Sequence, residues 1–373
     1  MPTVQDVLDA VERIAPARMA FPFDRIGLQV GSPEHAVEKG VVSLDSSLGA
    51  IRHARALGAQ MLVSHHPLIW EPIKTLRSDL PRNETVVELI RGGIAFHGVH
   101  TNWDCAPGGI NDVLAERLGL TDVRTFGDAN PARVFKLVVF VPHTSSEGLV
   151  DALSAAGAGV IGLYTRCAFS HPGIGTFRGE RGSQPIIGEV GRIEQVEELR
   201  IEMRVPAERV DLVEAAIRRG EAAIRRVHPY EEPAFDWLVM RDERGQPAGR
   251  IGTLPHPMTL REFSSYAEAA LETKVWAWGD PGRVIRSVGL TGGAADGEWR
   301  DAQRAGAEVF LTGEVRQNVA IEVAEADFAI FAAGHYATEQ PGCRRLAERL
   351  TDALPTIGWS LYEPEPGHWG RPS

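Results

Sequence analysis

The sequence predicts an α/β fold in which two parallel-rich outer segments, 1–127 and 248–373, flank an inserted ferredoxin-like α+β module at 128–247. Three observations predict it. Short apolar runs alternate with amphipathic stretches at both ends of the chain, as βαβ units require. After Gly127 the order changes to β-α-β-β-α-β, and the alternation returns from Gly249. The length, 373 residues, exceeds one ordinary core and calls for two or three domains.

Thr3 caps a first helix whose apolar stripe is Val4, Val7, Leu8, Val11 and Ile14. Val41-Val42-Ser43-Leu44-Asp45 reads as a buried strand, Ser47 to Leu57 as a helix ended by Gly58, and Met61-Leu62-Val63 as the next strand. This βαβ unit delivers Ser64-His65-His66-Pro67-Leu68 to the carboxyl end of its second strand. A helix near Glu84 to Arg91 ends at Gly92-Gly93. The strand Ile94 to Val99 then runs into His100-Thr101-Asn102-Trp103-Asp104, a loop that Pro107-Gly108-Gly109 continues.

In the module, strands at Val134–Val141, Leu199–Val205 and Ala234–Met240 and helices at Ser145–Ala156 and Ala207–Arg218 surround glycine-rich turns at Gly173–Gly182. Beyond Gly249, helices at Leu260–Leu271, Glu298–Ala305 and Arg344–Leu350 alternate with strands at Val284–Leu290, Val309–Thr312 and Phe328–Phe331. Trp276 and Trp278 alternate at strand spacing and are expected to pack. Pro341 has no N–H to give and suits only a first turn. The last helix is therefore expected to start near Ala337 or Thr338, with His335 on the loop before it.

Composition limits the function. Hydrophobic content of 43% and charged content of 24% are those of a soluble globular protein. A net charge of −11 argues against coating nucleic acid, which takes dense Lys and Arg, but leaves a single nucleotide in a pocket open. Cys105, Cys167 and Cys343 form no CxxC pair, so neither a disulfide framework nor a thiolate zinc site is expected. No secretory signal follows Met1 and no apolar run approaches the roughly 18 residues of a membrane span. A reducing cytoplasm is the expected compartment.

Four loops leave carboxyl ends of strands with metal-capable or acid–base residues. They carry His65 and His66; His97, His100 and Asp104; Thr312-Gly313-Glu314; and His335 with Glu339. That edge is where open α/β sheets bind ligands. Adjacent strand residues point to opposite faces, so His65 and His66 share a site only if the backbone leaves the strand there, as Pro67 favours. Singly, each residue has a plainer reading. His97 and His100 could bond loop backbone, and for His97 alone that reading is preferred. His335 and Glu339 could be a solvated i,i+4 contact, and Asp104 a turn residue. Jointly, at one sheet edge, imidazoles and carboxylates point to a metal centre.

Ser64-His65-His66-Pro67-Leu68, His100-Thr101-Asn102-Trp103-Asp104 and Gly334-His335-Tyr336-Ala337-Thr338-Glu339 together resemble the Nif-three-like family, the type 2 homologues of GTP cyclohydrolase I. Gly27-Leu28-Gln29-Val30-Gly31, Gly249-Arg250-Ile251-Gly252 and Leu311-Thr312-Gly313-Glu314 fit the same pattern in the same order. The module resembles the PII/CutA-like insertion of longer members, with His228-Pro229-Tyr230-Glu231-Glu232-Pro233 its most distinctive stretch. There a small-molecule or metal sensor competes with a rigid, proline-bounded connection, and the connection is preferred.

The resemblance implies a cleft between two lobes holding two divalent ions, ligated by His65, His66, Asp104, His335 and Glu339. Five side chains cannot saturate two ions, so a carboxylate bridges or water fills the gaps, and Glu339 is the preferred bridge. Zinc, iron, manganese or nickel would suit this donor set. His97 and His100 are its candidates for ligand support or proton transfer. It also implies a homo-oligomer, a hexameric toroid, and hydrolysis of a nucleotide-like or phosphorylated small molecule. The rival reading is a metal-binding scaffold or trafficking protein with a sensing insertion. Two positions depart from the family pattern. Asp24-Arg25 stands where Asp-Asn is common, and Arg316-Gln317-Asn318 lacks a nearby histidine.

Overall fold

A computed structural model describes residues 1–127, 133–161, 164–206, 213, 230, 234–241 and 247–365. The expected helix at Ala207–Arg218 and the His228–Pro233 stretch lie outside the described residues, apart from Val213 and Tyr230. The chain forms two compact units, one of residues 1–130 with 245–373 and one of residues 131–244.

The first unit opens with α1 (Val4–Ile14), β1 (Gly27–Val30), β2 (Lys39–Ser43), α2 (Leu48–Leu57) and β3 (Met61–Ser64). Then come α3 (Pro81–Gly92), β4 (Ala95–Gly98), α4 (Thr101–Cys105), α5 (Ile110–Arg117) and β5 (Thr121–Phe126). Thr3 and Asp6 close a capping box on α1, satisfying two of its free N–H groups. The second unit holds β6 (Arg133–Pro142), α6 (Ser146–Ala155), β7 (Ala168–Arg178), β8 (Ile193–Pro206) and β9 (Phe235–Arg241). On return, the first unit adds β10 (Gly249–Thr259), α7 (Leu260–Leu271), β11 (Trp276–Trp278), β12 (Val284–Leu290) and α8 (Trp299–Arg304). It closes with β13 (Val309–Thr312), α9 (Gln317–Glu325), β14 (Ile330–Ala332), α10 (His335–Ala353) and β15 (Gly358–Leu361).

Among the described residues the first unit has two sheets, in the orders β1-β4-β3-β2-β15 and β11-β14-β13-β12-β10-β5. The first is parallel except at β1. The second is parallel only across β12, β13 and β14, so the expectation of two parallel-rich lobes meets the first sheet better than the second. The outer segments are also not separate lobes. β15, from the end of the chain, pairs with β2, and β5, from the first segment, pairs with β10. Hydrophobic periodicity shows that a strand is buried, not which sheet buries it.

The second unit is one antiparallel sheet in the order β7-β8-β6-β9, with α6 packed through Leu149, Val150 and Leu153. The glycines expected in turns at Gly173–Gly182 fall partly inside β7, which continues to Arg178 against β8. Trp276 is 61% exposed on its edge strand rather than packed.

Two buried contacts bring the ends of the first unit together. The fully buried Trp103 donates its indole N–H to Gly342 O at 3.0 Å, tying α4 to α10. Gly342 meets Ile110 of α5 so closely that a Cβ there would collide with it. Pro341 sits inside α10, which begins at His335, two to three residues earlier than its proline predicts. Burial of Ala337, Thr338, Glu339, Gln340, Gly342 and Cys343 offsets the roughly 3 kcal/mol that an interior proline costs.

Candidate metal centre

The site begins where β2, β3 and β4 end. Past Ser64 the backbone stays tied to the neighbouring exit, His65 N–H donating to Ser43 O at 2.9 Å and His66 N–H to Leu44 O at 2.8 Å. The two rings nevertheless lie side by side, centroids 5.1 Å apart. His100, at the N-cap of α4, packs 5.2 Å from His65 and 5.7 Å from His66, and His335 packs 5.1 Å from His66. Asp104 lies on α4, not on a loop, one turn beyond His100. Glu339 lies one turn into α10 and is 4% exposed.

Each ring is held by its far nitrogen. His65 Nδ1 is 2.9 Å from Val99 O, His66 Nδ1 2.8 Å from Asp45, His100 Nδ1 2.9 Å from Asp24, and His335 Nδ1 2.7 Å from Glu314. Carbonyls and carboxylates only accept, so these partners assign a proton to Nδ1 of each ring; once a ring is neutral, its Nε2 carries the free lone pair. Such support is what fixes ligating histidines at metal sites. Asp24 is itself saturated, accepting from Thr101 N and Oγ1 and from Arg25 N.

The near nitrogens converge. Glu339 Oε2 is 3.1 Å from His66 Nε2, 3.1 Å from His335 Nε2 and 3.7 Å from His65 Nε2. His65 Nε2 is also 3.6 Å from Asp104 Oδ1, and both atoms are buried without a hydrogen-bond partner. Those gaps are too wide for hydrogen bonds. They suit ligand atoms on one ion, where bonds of about 2.0–2.2 Å place neighbouring donors roughly 3.3–3.6 Å apart. Three groups have ligand atoms close enough for a shared ion, all within 4.8 Å: His65-Asp104-Glu339, His66-His335-Glu339 and His65-His66-His100.

Without an ion, protons answer the same crowding. Burial alone would lower the pKa of His66, but hydrogen bonds to Asp45 and Glu339 hold it up at about 10. His335 sits at about 9, its burial outweighed by Glu339 and Glu314. Burial would raise the Glu339 carboxyl, yet the facing imidazoles of His65, His335 and His66 drive it well below the ordinary range. Asp104, buried and repelled by Glu339, rises to about 8.

His97 belongs to none of these groups. It lies within β4, paired with Leu28 and Val63, and burial lowers its pKa to about 4, leaving it neutral. Sequence reasoning missed Asp45 and the supporting role of Asp24. The signal for Asp45 was present, since it ends a buried strand on the same edge as the histidines. It also gave Thr291-Gly292-Gly293 no place in the metal site. Gly293, at φ +67°, lies against Glu339 Oε1 so tightly that any Cβ would collide. Gly292 N–H donates to Asn111 Oδ1 at 2.7 Å, while Asn111 Nδ2 donates to Asp104 O at 3.1 Å.

The rim is formed by the loop after the histidine pair. Gln29 clamps it, accepting from Leu68 N and Ile69 N and donating to Ile69 O. Trp70, 42% exposed, stands edge-on to His100 at 5.5 Å. Of the two departures from the family pattern, Arg25 donates to Trp70 O at 3.3 Å, and Arg316 is taken up by Asp296 at 2.7 Å.

The sequence pattern of the family described as Duf34/NIF3 (NGG1p interacting factor 3) matches residues 2–363. A Mycobacterium tuberculosis protein named GTP cyclohydrolase 1 type 2 homolog is 36% identical over 353 residues, 92% of this chain and 90% of its own. The Bacillus subtilis protein of the same name is 35% identical over 335 residues, 89% of this chain and 88% of its own. Among solved structures, the Bacillus cereus protein related to NIF3 superposes with a TM-score of 0.63 at 31% identity, covering 98% of this chain and 97% of its own.

Proposed function

From the premise that the chain belongs to the Duf34/NIF3 family, we propose that it binds two divalent metal ions and hydrolyses a nucleotide-like or phosphorylated small molecule. The observation that carries the reading is one buried carboxylate oxygen, Glu339 Oε2, facing three imidazole nitrogens. His65, Asp104 and Glu339 would hold one ion, and His66, His335 and Glu339 would hold the other, with Glu339 common to both. An imidazole and carboxylate set without thiolate suits zinc, iron, manganese or nickel.

Ions held so would polarise a substrate oxygen and lower the pKa of water. The protein's own side chains do the rest. Asp45 and Glu314 fix the rings of His66 and His335. His100, its Nδ1 held by Asp24, keeps Nε2 for moving a proton between water and leaving group. His97 is buried and belongs to none of the three groups, which favours His100 for that role. Trp70 gives a flat substrate ring one wall. GTP is the first substrate to try, since the relatives are named for its cyclohydrolase.

The second unit is read as the PII/CutA-like insertion, supported by its antiparallel order β7-β8-β6-β9, that of a ferredoxin-like sheet. The family resemblance adds hexameric assembly, which light scattering on the purified chain checks. Among the described residues, no helix is long and apolar enough to cross a membrane.

The test is metal content and turnover of a nucleotide and phosphoester panel by the loaded protein and by Glu339→Gln. The variant is expected to lose both metal and turnover. Undiminished turnover by folded, metal-free protein would end the proposal. Loading without any turnover would favour the rival reading, a metal-trafficking scaffold. That reading draws on the partial exposure of His66 and His335, through which one ion could leave.

A further inference from the structure

The second unit contains a cavity of about 400 Å³, within the range of small-ligand sites. Phe140, Phe177, Tyr230, Ile186 and Ile187 line it, with Phe177 and Tyr230 ring centroids 6.2 Å apart at 55°. Into this apolar lining comes one carboxylate, Glu198, which is 9% exposed. A buried carboxylate is costly unless it is paired. The Tyr230 hydroxyl is the neighbour of Glu198 there. No Lys, Arg or His lines the cavity among the described residues, and on the same sheet Lys136 and Arg200 are both taken up by Glu202.

The backbone is shaped around that carboxylate. Gly175 sits inside β7, where glycine weakens a strand relative to alanine. A Cβ at Gly175 would collide with the Glu198 carboxylate, so the glycine is what admits the charge. A strand that gives up a side chain to seat a buried anion among aromatic rings has the makings of a cation site.

We propose that this cavity binds a small organic cation, an ammonium or amidinium head on a flat apolar body. The head pairs with Glu198 and the body lies between Phe177, Tyr230 and Phe140. Among its described residues the lining offers a phosphate no basic side chain, so a nucleotide is not the expected ligand. The site is separate from the metal centre and does not depend on the function proposed for it.

Isothermal titration of the full chain with phenethylammonium tests the assignment, with phenethyl alcohol and 3-phenylpropionate as neutral and anionic isosteres. For a probe this small the expected dissociation constant is about millimolar. The cation is expected to bind at least tenfold tighter than either isostere, and to slow hydrogen exchange at residues 174–187 and 198. Glu198→Gln should bring cation and alcohol to equal affinity. Equal binding of all three probes, a preserved cation preference in folded Glu198→Gln, or protection elsewhere in the chain overturns the proposal. If circular dichroism finds Glu198→Gln unfolded, Phe177→Ala decides: a tenfold loss for the cation supports the site and unchanged affinity overturns it.

Discussion

The two halves of the proposed metal centre share Glu339 but treat their polar atoms differently. On the His65–Asp104 side both facing atoms are buried and unpartnered, 3.6 Å apart. On the His66–His335 side every ring nitrogen is hydrogen-bonded, and the side chains are 23% and 35% exposed. A buried donor or acceptor left unmade costs about 1–3 kcal/mol. Without a cation the closed half leaves its two facing atoms unpartnered, whereas the open half pairs every ring nitrogen. The closed half should hold its ion more tightly, and the open half should exchange.

Glu339→Gln makes the largest break, because it removes the one anion common to both halves. Metal content measured by elemental analysis should fall from two ions to none. Retention of one ion would mean that the halves do not depend on a shared bridge. Asp104→Asn should be next, emptying the closed half and sparing the open one, so one ion per chain remains. Loss of both ions in that variant would collapse the distinction between halves.

Loading should also release protons unequally. In the metal-free protein at pH 7, His66 at about 10 and His335 at about 9 are protonated, and so is Asp104 at about 8. All three must deprotonate to ligate, so binding weakens as pH falls. Titration in buffers of different ionisation enthalpy should find more protons released on filling the open half than the closed one. Equal release would remove the charge difference between them.

The sequence made the gathering of these side chains legible and their supports much less so. His65, His66, Asp104, His335 and Glu339 each end or follow a strand, and strand ends are visible as apolar runs. Local pattern failed where tertiary packing decided. Pro341 sits inside α10 because burial outweighs its intrinsic cost, and β5 and β15 cross into each other's sheets. Asp24 and Asp45 hold ring nitrogens across 76 and 21 residues, a separation no local motif encodes.

His97 supplies a control for acid effects. Its pKa is lowered to about 4 by burial, so the folded state resists a proton that the unfolded chain takes below about 6.5. Its effect on stability is nil above pH 6.5, and stability is lost as pH falls from there to about 4, by roughly 3 kcal/mol in all. Urea unfolding across that range should show the loss, and His97→Phe should remove it. If His97→Phe leaves the slope unchanged, acid lability belongs to the metal centre instead.

The finest test lies within the open half. Asp45 and Glu314 support His66 and His335 at similar distances, 2.8 and 2.7 Å, but Asp45 is 38% exposed and Glu314 58%. Water competes more effectively for the more exposed carboxylate, so its support is weaker. Removing a carboxylate behind a metal-bound histidine costs about 10–100-fold in affinity. Asp45→Asn should fall near the upper end and Glu314→Gln near the lower, in chelator competition on the more weakly held ion. The tightly held ion should keep its affinity in both variants, because His65 is oriented by the backbone carbonyl of Val99, which neither substitution touches. A matching loss at both ions would show that the carboxylates brace one rigid cluster rather than the open half alone.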